Sequence, residues 1–181
     1  MAWALEPPVM KSVLTVSGGP EILSIGFSAP FSVKVVAGSL IWLSQTAQGA
    51  NQVVRAFGFT PQVVSTYAVH YALDHYTRID NSIGDTWEHE GHTFYRLTVP
   101  SGNGAWRLDV GPNFWTEDGT WNAPQNRYDA PRTLFHFFAF SQHWFLDRQS
   151  GKFWRMDSSL YTDVDDLPLR WLRRAPALMN E

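Results

Sequence analysis

The sequence predicts an all-β protein, a partial β-propeller of about three four-stranded antiparallel blades with one short helix in a connecting loop. Three observations carry this. Eleven Pro and thirteen Gly cut the 181 residues into apolar runs of strand length rather than helix length. Aromatic residues make up 15% of the chain, with nine Trp, so the core must pack through rings. A hairpin pattern with aromatics at matching places recurs along the second half.

The clearest strand candidates, in order, are Phe31 to Ala37, Ser39 to Ser44, Gln52 to Ala56, Gln62 to Ser65, Thr93 to Val99, Ala105 to Val110, Leu134 to Phe140, His143 to Asp147 and Lys152 to Asp157. Turn residues separate them at Gly38, Gln48-Gly49, Ser101 to Gly104, Gly111 to Asn113 and Gln149 to Gly151. From Ser65 to Arg78 the pattern changes: Val69, Ala72, Leu73 and Tyr76 follow helical spacing, with Ser65 or Thr66 as the cap. Residues 1–19 form an N-terminal segment to which the sequence assigns no role, and residues 20–181 form the propeller-like domain.

The repeat runs as follows. Thr93 to Leu97, a Gly-rich turn, Trp106 to Asp109 and Trp115 to Glu117 match His143 to Asp147, a Ser-Gly turn, Trp154 to Asp157 and Tyr161 to Asp163. Trp106 and Trp154 are 48 positions apart, and Trp115 and Tyr161 are 46 apart. A fainter copy lies upstream in Leu40 to Leu43, Val53 to Ala56 and Gln62 to Ser65, with Pro20 to Ala37 as a further fragment. A period of about 40 to 50 residues is that of propeller blades, each of which covers its faces with its neighbours. Three blades fall below the usual four to eight, so the chain is either a very small propeller or a piece that needs another chain or copy. An ordinary antiparallel sandwich, its two Trp-rich hairpins alike by chance, is the competing reading.

Composition narrows the function classes. A formal net charge of −3 argues against general nucleic-acid binding, which requires several cations to displace counterions from phosphate. With no Cys, a disulfide framework and a thiolate metal site are excluded. Met1 to Ser17 lacks the pattern of a signal peptide and no stretch approaches a membrane span, so the expectation is a soluble protein made in a cytoplasm.

Few residues point to chemistry. His89-Glu90-Gly91-His92 suggests a metal pair, but along one strand the two His would face opposite sides and no third ligand follows. His70, His75, His136 and His143 stand in no triad order. Asp157, Asp163, Asp165 and Asp166 could bind calcium or act as an acid/base pair, yet they lack the Gly and distal Glu of an EF-hand loop and read as a solvated turn. No metal, cofactor or catalytic residue is assigned. Leu167 to Arg174 alternates apolar and basic residues like a half-buried strand, and Arg170, Trp171, Arg173 and Arg174 form a candidate interface for carboxylates of a neighbouring subunit or for DNA phosphates. A solvated strand edge explains the same residues.

Several motifs in order carry a family resemblance. Gly58 to Val69, Glu90 to Pro100, Gly119-Thr120-Trp121, Asp147 to Lys152, Met156 to Asp163 and Arg173 to Pro176 resemble the packaged-DNA stabilisation proteins, the tail-hub proteins of short-tailed phages. The likeness spans about Pro30 to Leu178 and covers only the C-terminal part of that family's fold. It implies a virion tail protein without catalytic residues, set in a hexameric ring below the portal and its adaptor. There it would help retain packaged DNA and offer docking surface to a tail needle and tailspikes. An upstream chain supplying the missing blades would be a further partner. Two other functions compete: a carbohydrate-binding propeller using exposed Trp faces, and a propeller glycosidase or metalloenzyme using the acidic turn or the His pairs.

Overall fold

The computed structural model describes residues 13–16, 19–22, 25–162 and 168–170. These residues are mostly β, and every ladder is antiparallel. A hairpin of β1 (Val13–Val16) and β2 (Gly19–Ile22) comes first. The first four-stranded sheet follows as β3 (Lys34–Val36), β4 (Ser39–Gln45), β5 (Asn51–Phe57) and β6 (Thr60–Val63), paired in chain order. Helix α1 (Tyr67–His75) leads to the second four-stranded sheet: β7 (Ile83–His89), β8 (His92–Val99), β9 (Gly104–Asp109) and β10 (Phe114–Asp118). A short hairpin, β11 (Thr120–Asn122) and β12 (Arg127–Asp129), precedes a three-stranded sheet of β13 (Thr133–Ala139), β14 (Gln142–Asp147) and β15 (Phe153–Arg155).

Each larger sheet is therefore a meander whose first two strands are joined by a two-residue turn. Those turns are Ala37-Gly38, Glu90-Gly91 and Phe140-Ser141, and in all three both residues have positive φ. This is the turn whose twist matches a hairpin, and it favours Asn-Gly or Asp-Gly. The cross-strand register repeats as well. Leu97 faces Trp106 in the second sheet and Phe145 faces Trp154 in the third, a displacement of 48 positions on both strands. The sequence repeat thus corresponds to a repeated sheet.

Several expectations need correction. Phe31 to Ala37 is not one strand: Pro30–Ser32 forms a 3-10 turn and only Lys34–Val36 joins the sheet. The fixed φ of Pro30 opens that turn, and the Ser32 hydroxyl holds it by donating to the Ala29 carbonyl at 2.6 Å. The fourth sheet strand lies at Thr60–Val63 rather than Gln62 to Ser65. Only two of the three expected blades have four strands. Thr162, in the stretch expected to complete the third, forms an isolated bridge with Pro168. The helix does form with Thr66 at its cap, but no side-chain bond caps it. Ser65 Oγ instead accepts the Val53 N–H at 2.8 Å.

The main core lies where the first sheet and α1 meet the second sheet. Ile41, Leu43 and Val53 pack there against Val69 and Leu73 of the helix and against Tyr95, Leu97 and Leu108. Burying each such side chain contributes about 1.5–3 kcal/mol. Two polar ties fix the sheets' relative position: Tyr95 donates its hydroxyl proton to the Ser32 carbonyl at 3.0 Å, and Trp115 Nε1–H donates to the Val64 carbonyl at 2.8 Å. Gly84 must remain without a side chain, because a Cβ there would stand 2.4 Å from the Ser32 oxygen. On its far face the first sheet is covered by residues 25–28. Ile25 and Phe27 pack on Trp42 and Val54, Trp42 Nε1–H donates to the Gly26 carbonyl, and Ser28 N–H donates to the Leu43 carbonyl.

Candidate functional site

A buried polar region lies at the junction between the second and third sheets, where Asp85 and Arg96 are both buried. Alternation along β7, β8 and β9 sends Asp85, Trp87, Arg96, Phe94 and Arg107 to one face, opposite the apolar face that packs on the first sheet. Arg96 and Asp85 are both buried there, with Nη2 and Oδ2 3.3 Å apart. The guanidinium also donates to Thr133 Oγ1 at 3.0 Å and to the Thr133 carbonyl at 2.9 Å, both on β13. The rings of Trp87 and Phe145 lie 5.4 and 5.3 Å from its centre. The Asp85 carboxylate accepts the His136 backbone N–H at 2.9 and 3.0 Å. Burial pulls the Arg96 pKa down, while Asp118 and Asp85 oppose that pull. One ion pair of the second sheet thereby holds two residues of β13 in the third.

Beside it lie three histidines. His136 Nε2 and His143 Nδ1 share a hydrogen bond at 2.8 Å, and His89 meets His143 edge to face at 5.4 Å between ring centres. Burial lowers the pKa of His136, with a contribution from His143; burial and then His89 lower that of His143. Both rings therefore favour the neutral form. His89 and His143, with Arg155, Met156 and Asp157, line an open cavity of ≈ 380 Å³.

His89 and His92 are not residues on opposite faces of one strand. They face each other across the Glu90-Gly91 turn and close that hairpin. Their partners nonetheless differ, since His92 Nδ1 bonds Asp109 Oδ2 at 2.6 Å while His89 turns to His143. Among the described residues, no group of three or more His, Cys, Asp or Glu is placed to hold a metal ion. The sequence reading missed two further pairs. Ser65 Oγ lies 2.6 Å from His70 Nε2, but that hydroxyl already accepts a backbone N–H, which marks it as a pin between α1 and β5. The His136–His143 contact was legible in principle, because a two-residue turn at 140–141 brings Phe138 opposite His143.

Asp147 is buried at the β14 to β15 turn. It accepts from the Gln149 N–H at 2.8 Å, Ser150 Oγ at 2.7 Å, Arg132 Nη2 at 2.5 Å and Trp154 Nε1 at 3.1 Å. Burial alone would raise its pKa, but these donors hold it well below the usual carboxylate range. It is an anion held by donors of its own chain. Asp157 is occupied by the Ser159 N–H, Ser159 Oγ and Arg155. Asp163, Asp165 and Asp166 lie outside the described residues, as do Trp171, Arg173 and Arg174. Arg170 is exposed, and its guanidinium sits 3.9 Å over the ring of Trp121 while its carbonyl accepts the Tyr128 hydroxyl.

No protein-family model matches the chain, and no curated protein matches it. A sugar-binding surface would expose several of Trp42, Trp106, Trp115, Trp144 and Trp154, but Trp42 and Trp115 are buried and Trp106, Trp144 and Trp154 are half-buried. Their indoles face neighbouring sheets and turns, where Trp42, Trp115, Trp144 and Trp154 donate to Gly26, Val64, Ala139 and Asp147. Large exposed rings are Phe and Tyr instead: Phe135, Phe137, Phe138, Phe140 and Phe153 belong to the third sheet and its turn, while Phe31, Phe57, Phe59, Tyr67, Tyr71, Phe114 and Tyr161 lie elsewhere. Phe135 and Phe140 moreover have positive φ, a conformation in which a bulky residue costs about 1–3 kcal/mol.

Proposed function

We propose that the chain is a structural, non-catalytic part of a short-tailed phage's tail hub, its stacked sheets being blades of a partial propeller. In this role it helps retain packaged DNA and offers surface to other tail proteins, the portal adaptor, needle and tailspikes among them. The observation that carries the reading is the repeated unit: three successive meanders with the same positive-φ turn, two of them sharing a pair register displaced by 48 residues. Such units stack face to face, each hiding its neighbour's apolar side. The arrangement of polar groups supports a mechanical role. The buried ion pair, Asp147 and the Ser65–His70 contact are each spent on joining elements of the chain.

The test is to look for the chain in purified virions of the phage whose genome carries it, by mass spectrometry, and to place it with antibody labelling in the electron microscope. Stoichiometric presence at the tail is the expected result. A chain made during infection but missing from intact virions would overturn the proposal.

A further inference from the structure

We infer that the third sheet is docked by a histidine latch: when His136 and His143 take up protons in mild acid, β13 to β15 come away from the second sheet while the first two sheets stay folded. This switch goes beyond the tail-hub role and does not rest on it.

Two kinds of contact join the sheets. The first sheet, α1 and the second sheet share one apolar core, in which Leu43, Val53, Leu73, Tyr95 and Leu97 are fully buried. No described residue of β13 to β15 belongs to that core. The third sheet instead meets the second across polar groups and rings: Arg96 donates to Thr133, Asp85 accepts the His136 N–H, and Trp87 meets Phe145 edge to face at 5.4 Å. A unit with few apolar contacts to its neighbour opens at lower free energy than the core does. The chain also supplies a pivot. The Ala130 N–H is held by Asn103 Oδ1 at 3.0 Å on the second sheet's side, whereas Arg132 is bonded to Asp147 and Arg148 of the third, so the turning point is Pro131 between them.

A strained bulge aims His136 into this junction. Phe135, with φ of 51°, is the extra residue where the register with β14 shifts between Leu134 and His136. Bulges re-aim side chains, and the left-handed region is unfavourable for a bulky residue. Here the bulge turns the His136 N–H onto Asp85 and the His136 ring onto His143 and toward Trp87, 6.2 Å away between centres.

The bond between His136 Nε2 and His143 Nδ1 needs a proton on one nitrogen and a lone pair on the other. Protonating both rings sets two N–H groups head to head and two positive charges 5.1 Å apart between ring centres. The surrounding charges give little relief. On β7 and its turn, Asp85 is shared by Arg96 and the His136 backbone, and Glu90 turns to His89, which itself stands against His143. On β8 and β9 stand the cations Arg96 and Arg107, the latter paired with Asp118 of β10. Beside β14, Arg155 is paired with Asp157. Burial lowers the His136 pKa against the pull of Asp85, and burial and then His89 lower that of His143. Groups whose pKa falls on docking stabilise the docked form above about pH 6.5, and that contribution is lost as pH drops through their lowered values. Protons have a way in, because His89 and His143 line the open cavity.

The test is amide hydrogen exchange of the full chain, read by mass spectrometry from about pH 7.5 to about pH 4 and corrected for the intrinsic rate at each pH. Between about pH 7.5 and pH 5, protection of residues 133–147 should fall at least about tenfold relative to residues 93–109, since each ring kept neutral by docking favours opening by up to about thirtyfold at pH 5. The variant His136→Gln/His143→Gln, whose amides can still bond each other and do not titrate in this range, should hold that ratio within about threefold. If this double change undocks the sheet even at pH 7.5, the single His143→Gln decides, and its fall should be at least about threefold smaller than that of wild type. Parallel loss of protection in both sheets would overturn the latch. So would a midpoint below about pH 4.5, in the carboxylate range, or a fall in His143→Gln equal to that of wild type. None of these results bears on whether the chain occurs in virions.

Discussion

Replacing Arg96 by Met probes the junction on which the third sheet depends. The substitution keeps most of the volume and leaves the Asp85 carboxylate buried with only backbone N–H donors from Thr86 and His136. Stranding one member of a buried pair costs about 3–5 kcal/mol. Two charged hydrogen bonds to Thr133 and the ring contacts with Trp87 and Phe145 disappear as well. These terms overlap, so the expected loss stays at about 4 kcal/mol. For a domain of this size that is about 8–16 °C in melting temperature. Urea unfolding followed by circular dichroism and Trp fluorescence reads it. The paired variant Asp85→Leu/Arg96→Met should recover at least about half of the loss, because no charge is then left without a partner. If Arg96→Met alone costs under about 1 kcal/mol, or if the two substitutions simply add, the pair does not hold the sheets together and the reasoning fails.

Three further outcomes follow from the same structure. His136 and His143 have pKa values lowered by folding, so the unfolded chain binds more protons as pH falls through about 6.5; stability present above that value should decline toward pH 5, and His143→Phe should flatten the decline seen in urea midpoints. Asp147→Asn leaves Arg132, Ser150 and Trp154 facing a neutral amide and should cost about 2–3 kcal/mol at pH 7, with the difference from wild type shrinking only in strong acid, where the depressed wild-type carboxyl finally protonates. Gly102→Ala should be among the most damaging small substitutions, about 1–3 kcal/mol by thermal melting, because the added Cβ would stand 2.2–2.6 Å from the Tyr76 ring; the same change at Gly49, where the space is open but φ is +90°, reports backbone strain alone.

What could be read from the sequence depended on where each residue's partner lay. Strands β4, β5, β8, β9 and β14 carry continuous apolar runs between turn residues and stand near where periodicity puts them. Helix α1 was visible because Val69 and Leu73, spaced four apart, are both fully buried. Strand β7 was hidden. Its sequence, Ile-Gly-Asp-Thr-Trp-Glu-His, looks polar and turn-like, since Gly84 is dictated by Ser32 and Asp85 by Arg96, His136 and the third sheet. The β11–β12 hairpin was missed for a similar reason, its Asp129 being held by Asn103, Asn122 and Arg127. The polar junction was legible only as scattered residues. Asp85, Arg96 and His136 span 51 positions, and their meeting depends on the stacking of sheets that no local pattern encodes.

The cover over the first sheet has a consequence for growth. A repeated unit whose two ends fit one another is a monomer for an open chain, and such contacts extend into fibres when the rotation between units does not return to its start. Residues 25–28 remove one of those ends by placing Phe27 on Trp42 and Val54 and by occupying Leu43's carbonyl with the Ser28 amide. The far face of the first sheet is then closed to a neighbouring sheet. A strap of four residues thus ends the stack of sheets on that side within the chain itself.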